Sequence, residues 1–335
     1  MAARQASAGI HEFVFGGLQS EREELLKFWG VLGFELTDEG DLGRDDANAL
    51  YGHGEGVVSL RLRHPGCATY ETGLVRLQLW SALRNEGLGN NDPIETGSRW
   101  MGMYTHDILQ LRDAVTNPRA MQDWDLWVSP LVNAPLQKPA PDHSFYERFI
   151  GLRETLVFGT RFRLAFIQRG GFDRPGFGTF DDSLPFKNTE GSHANVVQPD
   201  KQFSSDFYKK AFDFETAPFG EPHDSGDEPP TIEALKLKDG EMFHVERTRA
   251  VDCPSGLLQI YSSYRAGPDR RDLSQPGCGN LCAYSVRIAD LDRLISVIDE
   301  AVGAELLGDR DDEFGARSVV FRAPDGYVWI ALHDS

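Results

Sequence analysis

Gly9-Ile10-His11-Glu12-Phe13-Val14, near the start of the chain, has a counterpart in Gly191-Ser192-His193-Ala194-Asn195-Val196. Each stretch reads as a short strand opened by Gly-x-His. Helical sequence follows each strand, ending Val31-Leu32-Gly33-Phe34-Glu35 in one copy and Ala211-Phe212-Asp213-Phe214-Glu215 in the other. Further on, Gln78-Leu79-Trp80-Ser81-Ala82-Leu83-Arg84 matches Gln259-Ile260-Tyr261-Ser262-Ser263-Tyr264-Arg265, with the shared order Gln, aliphatic, aromatic, Ser, two variable residues, Arg. Met103-Tyr104-Thr105-His106-Asp107-Ile108-Leu109-Gln110-Leu111 matches Ala283-Tyr284-Ser285-Val286-Arg287-Ile288-Ala289-Asp290-Leu291. Four matches in one order at one offset of about 180 residues indicate a duplicated half.

Each half divides again. Breaks rich in Gly, Pro, Asn and Asp fall at 85–98 and 266–279, and a longer one at 170–191 separates the halves. The expected halves are therefore 1–175, with units at 9–84 and 99–170, and 190–335, with units at 191–265 and 280–335. Each unit reads as strand, helix, then several strands. Leu25, Phe28, Trp29 and Leu32 have helical spacing, whereas Val57 to Arg63 and Leu74 to Leu79 have strand character. The segment 117–144, rich in Pro and Trp, reads as an insertion with no assignable structure.

The rest of the chain narrows the function classes. Its 335 residues suffice for two domains, and 40% hydrophobic content supports a packed core. The apolar runs fall well short of the roughly 18 residues that span a bilayer. Residues 1–9 lack the apolar stretch of a signal peptide. The net charge of −18 disfavours binding to nucleic acid or anionic membrane. Cys67, Cys253, Cys278 and Cys282 make no CxxC pair; Cys278 and Cys282 would need two more ligands nearby to hold zinc. Reduced cysteines in a cytoplasmic protein are the expectation. No phosphate-binding loop, dinucleotide fingerprint, nucleophile elbow or HExxH is present. The expected partner is a small molecule, and homo-oligomer formation is compatible with everything above.

Two motifs, on top of the fourfold repeat, carry a family resemblance. Phe321-Arg322-Ala323-Pro324-Asp325-Gly326-Tyr327-Val328-Trp329 resembles the closing hairpin D-P-D-G-N-x-W-E-L of the vicinal oxygen chelate superfamily, which includes glyoxalase I, the extradiol dioxygenases and the bleomycin-resistance proteins. Val31-Leu32-Gly33-Phe34-Glu35 resembles the Y-x-x-x-L-G-F-E with which the family ends its first helix. The resemblance implies an α+β fold: four βαβββ units forming two open mixed-sheet barrels. It also implies a lyase, isomerase or ring-cleaving dioxygenase acting on a small oxygenated or aromatic metabolite. The alternative is a metal-free protein that binds or sequesters a small molecule, as the bleomycin-resistance members do.

In the family, each unit offers one inward position on its first strand and one on its last, and a divalent metal often sits among them. Carried over, the first-strand positions are His11, Met103, His193 and Ala283; the last-strand positions are Gln78, Arg163, Gln259 and Ile330. The Glu that commonly completes the set is missing, and Ile330 stands where the closing motif would place it. A divalent metal, if bound, would rest on His11, Gln78, His193 and Gln259, with His244 and Glu246 in reserve. That set is incomplete, because carboxylate charge normally supplies much of the affinity. If neighbouring units pair, Arg163, His11 and Gln78 form a catalytic group of anion anchor, base and neutral donor; the alternation of Arg161 and Arg163 with Phe162 and Leu164 reads more simply as an exposed polar face that turns Arg163 outward. If unit one pairs with unit four, His11, Gln78, Ala283 and Ile330 come together instead. His193, Gln259, Trp80 and Tyr261 are the substrate-binding candidates, and Tyr104 and Tyr264 are further aromatic ones. Both histidines also read as buried, hydrogen-bonded core residues, and the aromatics as core packing. His106 lies off the ligand column.

Overall fold

The computed structural model describes residues 5–334 apart from 7, 136–148, 174, 175, 177, 200–204, 218–221, 226–228, 239 and 264–266. Tyr264 and the part of the insertion from 136 on lie outside the described residues.

Four units follow one another. Unit one is β1 (Glu12–Leu18), α1 (Arg22–Val31), β2 (Glu35–Leu42), α2 (Arg44–Tyr51), β3 (Val57–Arg63) and β4 (Leu74–Trp80). Unit two is β5 (Arg99–Tyr104), α3 (Ile108–Val115), α4 (Pro118–Asp123), β6 (Trp127–Val128), β7 (Val132–Pro135), β8 (Gly151–Phe158) and β9 (Arg163–Gly170). Unit three is β10 (His193–Gln198), α5 (Asp206–Phe212), β11 (Glu215–Thr216), β12 (His223–Ser225), α6 (Pro229–Ala234), β13 (Phe243–Arg249) and β14 (Leu257–Ser263). Unit four is β15 (Asn280–Ile288), α7 (Leu291–Glu300), β16 (Glu305–Asp311), β17 (Arg317–Arg322) and β18 (Val328–His333). The insertion contributes α4, β6 and β7, and both strands extend the sheet along β8.

Local sequence explains these elements. In α7, Leu291, Leu294, Val297 and Ile298 form the buried stripe, and the Asp290 side chain caps the first turn by accepting from the Arg293 N–H. Helix α1 stops before Gly33, whose φ of +80° lies in the left-handed region that an L side chain resists. Gly326, at φ +91°, turns the closing hairpin between β17 and β18. In β4, Val75, Leu77 and Leu79 join the main core, while Arg76, Gln78 and Trp80 point to the opposite face.

The strands make two sheets. The eight-stranded sheet has the order β16-β17-β18-β15-β1-β4-β3-β2, and the ten-stranded sheet the order β11-β13-β14-β10-β5-β9-β8-β6. Unit one thus joins unit four through the antiparallel pair β1–β15, and unit two joins unit three through β5–β10. Each sheet draws one unit from each half of the duplication. Helices connect in the other direction. Phe28 of α1 stacks on Phe162 of unit two with ring centroids 4.1 Å apart, and α5 packs on α7. The main core is shared by the outer faces of both sheets and these helices. Both sheets curl, leaving two inner faces. No helix among the described residues is long and apolar enough to cross a membrane.

The inner face of the eight-stranded sheet is filled. The turn Asp312–Gly315 between β16 and β17 folds over it, and the backbone of Glu313 comes so close to Gly40 on β2 that a Cβ there would lie 1.8 Å from its carbonyl oxygen. Glu313 accepts from Tyr51 Oη and Ser59 Oγ, both at 2.8 Å, and from Gln78 Nε2 at 3.2 Å. The fully buried Arg76 donates from Nε to Glu12 at 2.9 Å and from Nη2 to Asp312 at 3.2 Å, and lies 3.4 Å from Glu313. Arg61 and Ser285 also donate to Glu12, at 2.7 and 2.8 Å. Removing one partner from such a group strands the others as uncompensated buried charge, at a cost of about 3–5 kcal/mol. Arg76→Met is therefore expected to lower unfolding stability by about that amount in denaturant titration. A change under about 1 kcal/mol would show that water or relaxation supplies what Arg76 does.

Candidate functional site

Strand register decides which predicted residues meet. In β1, Glu12 rather than His11 faces inward: it pairs with Ser285 across the unit seam and is the first inward residue beside β4. His11 precedes the strand, with Nδ1 2.6 Å from the Glu71 carbonyl, and burial lowers its pKa. The equivalent of Glu12 in unit three is His193, which opens β10 opposite Leu257 as Glu12 does opposite Leu74. Arg76 then corresponds to Gln259, and Gln78 to Tyr261. The two His–Gln pairs read from the sequence are therefore not equivalent, and His11 with Gln78 is not a unit. The carboxylate that the ligand pattern lacked is present as Glu12, one residue beyond the position assigned to it.

Other residues are corrected the same way. Met103 joins the outer core and Gly102 takes its inward place, with the His193 ring lying directly over it. Ala283 and Ile330 do face inward, in the apolar cluster of the eight-stranded sheet, and Trp80 is in that cluster too, far from Tyr261 in the other sheet. His244 and Glu246 alternate with the inward Val245 and Arg247, so they turn away from His193; they pair with Asp224 and Ser205. His106 pairs with Asp182 and stacks on Phe180. Burial raises the pKa of all four thiols.

Arg163 faces inward but belongs to the ten-stranded sheet, so it does not meet His11 or Gln78. It is fully buried. It donates to the carbonyls of Arg99, Gly89 and Asn91 at 3.0, 2.9 and 3.1 Å and to Ser98 Oγ at 2.6 Å, over the Phe158 ring. These bonds occupy its guanidinium in holding the linker between units one and two. It is an anchor for the chain rather than for a substrate.

The ten-stranded sheet keeps an open inner cavity of about 150 Å³. Trp100, Glu154, Leu156, Phe243, Val245, Arg247 and Tyr261 line it from four strands, and residues around α6 and β7 cover it. Glu154 on β8 and Arg247 on β13 meet at this cavity although four strands stand between theirs in the sheet, which only a closing curl permits. Burial pushes the Glu154 carboxyl up to about 7, against the opposing charge of Arg247. Arg247 donates Nε–H to Gln259 Oε1 at 2.7 Å, leaving its terminal nitrogens directed elsewhere. Gln259 Nε2 donates to the Tyr261 hydroxyl oxygen, so the phenolic proton remains available to a ligand. Burial, then the neighbouring Glu154 charge, raises the Tyr261 pKa and keeps it protonated. Trp100 Nε1 is buried without a hydrogen-bond partner among the described residues. His193 stands on the same face beyond the cavity wall, 2.9 Å from Ser192 Oγ. Burial, with Arg247 and Arg169, pushes its pKa down to about 3, so it is neutral.

Neither barrel suits a divalent metal. In the eight-stranded barrel the inward carboxylates already surround Arg76. In the ten-stranded one His193 and Gln259 share their face with Arg247 and Arg169, whose fixed charges repel a cation. Among the described residues no three His, Cys, Asp or Glu side chains converge as ligands.

Of these residues, the sequence reading named Gln259 and Tyr261 as candidates and did not name Glu154 or Arg247. Both lie on strands that the ligand pattern does not mark. Their signal was weak: a charged residue two places from an apolar one, as in Glu154–Leu156 and Val245–Arg247, reads equally as the wet face of a strand.

The Glu154 carboxyl is expected to titrate near pH 7 by carbon NMR of labelled protein. Arg247→Met is expected to move that midpoint upward, because the lost charge favoured the ionised form. A midpoint near 4.5 in the unmodified protein would mean that the carboxyl is fully hydrated. Since the folded pKa exceeds the unfolded one, Glu154 lowers stability progressively as pH rises from about 4.5 to about 7, and Glu154→Gln should flatten that part of the stability profile.

No family model matches the sequence, and no curated protein matches it. Solved structures do match. Glyoxalase I from Zea mays superposes with a TM-score of 0.54 at 13% identity, covering 98% of this chain and 92% of that one. A mutant of the same enzyme gives 0.56 at 13% identity, covering 98% and 94%. A "putative dioxygenase" from Bacillus subtilis subsp. subtilis str. 168 gives 0.54 at 13% identity, covering 99% and 86%. With four βαβββ units, two curled sheets and these structural matches along nearly its whole length, the chain has the fold of the vicinal oxygen chelate superfamily.

Proposed function

We propose that the chain is an enzyme of the lyase or isomerase class that moves a proton on a small oxygenated or aromatic metabolite, with the cavity of the ten-stranded barrel as its centre. The observation that carries this reading is the meeting of Glu154 and Arg247 on one cavity of the ten-stranded sheet, while the eight-stranded barrel is occupied by its own ion cluster.

A carboxyl that titrates near 7 is matched to proton transfer at neutral pH. Glu154 takes the proton from a carbon next to a carbonyl. The electron pair moves to the carbonyl oxygen, and the resulting enolate is held by the Arg247 guanidinium and the Tyr261 hydroxyl. The protonated Glu154 then returns its proton to a different carbon in an isomerase, or to a departing oxygen in a lyase. Fixed guanidinium charge thereby does what a Lewis-acidic metal does elsewhere in the fold. Metal-dependent ring cleavage fits less well, because Arg247 and Arg169 oppose a cation at this face.

The apolar walls formed by Trp100, Leu156, Phe243 and Val245 also favour a second reading, a binding protein that holds its ligand unchanged. Exchange with solvent separates the two. Phenylpyruvate in D2O is expected to lose its methylene proton signals faster with the protein than in buffer. Glu154→Gln should reduce the excess rate by about a hundredfold or more. Exchange that survives this substitution would remove Glu154 from the chemistry, and binding without any added exchange would favour the second reading.

A further inference from the structure

Resting on the assignment of the site to the ten-stranded barrel, we infer that its ligand is a single-ring carboxylic acid, bound as the anion with its carboxylate on Arg247 and its ring between Trp100 and the wall of Leu156, Phe243 and Val245. Three observations point to this class. The first is size: a cavity of about 150 Å³ holds one six-membered aromatic ring. The second is shape and polarity. Trp100 lies beside Tyr261 with ring centroids 5.2 Å apart, and Phe243 lies 5.4 Å from Tyr261 on its other side. Together they line the cavity with aromatic rings, tilted by 36° and 50° against Tyr261, that an aromatic guest can contact.

The third observation is the placement of donors. Arg247 is held by Gln259 through Nε alone, so its guanidinium is fixed in orientation while its outer edge has no partner among the described residues. A planar fork of this kind matches a carboxylate in two parallel hydrogen bonds. The Tyr261 hydroxyl, fixed by the same Gln259, is placed to donate to a second oxygen on the ligand. Donors therefore outnumber acceptors, with Glu154 the one carboxylate on the wall. That balance favours an anion that carries a further oxygen over a neutral or cationic guest. Gln259 acts here as a positioning residue: it orients both Arg247 and Tyr261.

Calorimetric titration with benzoate, benzamide and benzyl alcohol tests the inference. Benzoate is expected to bind most tightly. Arg247→Met should weaken benzoate by about ten- to hundredfold while leaving benzyl alcohol unchanged, the latter also showing that the variant is folded. Arg247→Lys keeps the charge without the fork and should recover only part of the loss. Gln259→Leu should weaken benzoate without abolishing it. If benzamide or benzyl alcohol binds as well as benzoate, or if Arg247→Met leaves benzoate unaffected, the ligand class is wrong while the site stands. If none of the three binds, and none perturbs the fluorescence of the native protein relative to Trp100→Phe, the assignment of the site itself fails.

Discussion

Arg76 is a fully buried cation, and the groups that neutralise it come from opposite ends of the chain. Glu12 lies in the first strand; Asp312 and Glu313 lie in the turn between β16 and β17 of the last unit. A charge cannot remain inside a protein unless it is paired and hydrogen-bonded, so forming this cluster requires the first and fourth units to share a barrel. Arg76 and Arg61, with Arg76 at the hub, hold the Glu12 carboxyl well below the usual carboxylate range despite burial that acts the other way. Once units one and four are committed to each other, the middle units have only each other to pair with. The ten-stranded barrel and its cavity follow.

The inner faces of the two barrels consequently differ. Duplication gives them the same strand order, and Glu12 with Arg76 occupies the same register positions as His193 with Gln259. In one barrel those positions hold opposite charges, which attract a third element, the Asp312–Gly315 turn, and close the face. In the other they hold neutral groups, and the charges on that face are Arg247, Arg169 and Glu154 on other strands. Arg247 and Glu154 are not absorbed into a larger network, and a cavity remains between them. Structural matches at 13% identity place the fold and leave the chemistry to such local differences.

Most of the fold was legible in the sequence because repetition and strand alternation are both phase-independent. A repeat at constant offset shows the four units whichever way each strand faces, and the Asp325-Gly326 turn marks the last hairpin. Unit pairing was not legible. It depends on which charges meet in the interior, and no local signal ties Glu12 to Glu313. The site was harder still, because a shift of one residue exchanges the faces of a strand. Placing His11 inward concealed Glu12; the shared order Gln, aliphatic, aromatic, Ser joined Gln78 to Gln259, although Tyr261 holds the position in its sheet that Gln78 holds in the other. The alternation of Arg161 and Arg163 with Phe162 and Leu164 favours an exposed Arg163; the structure turns it inward, onto carbonyls of Arg99 and of the linker, whose path the sequence does not reveal.

One further consequence follows from where the fixed cations sit. A metal-dependent site in this fold needs anionic or neutral ligands to converge from both units of a barrel. Here every inward carboxylate of the eight-stranded barrel is opposed by Arg76 or Arg61, and the open face of the ten-stranded barrel carries Arg247 and Arg169. A guanidinium cannot be deprotonated at ordinary pH, so this positive charge is permanent, whereas a metal can be lost to a chelator. A protein with this arrangement can stabilise an anion as long as it is folded. Under the proposed reading its dependence on pH passes to Glu154, whose carboxyl burial pushes up to about 7 and whose ionised form alone can accept a proton.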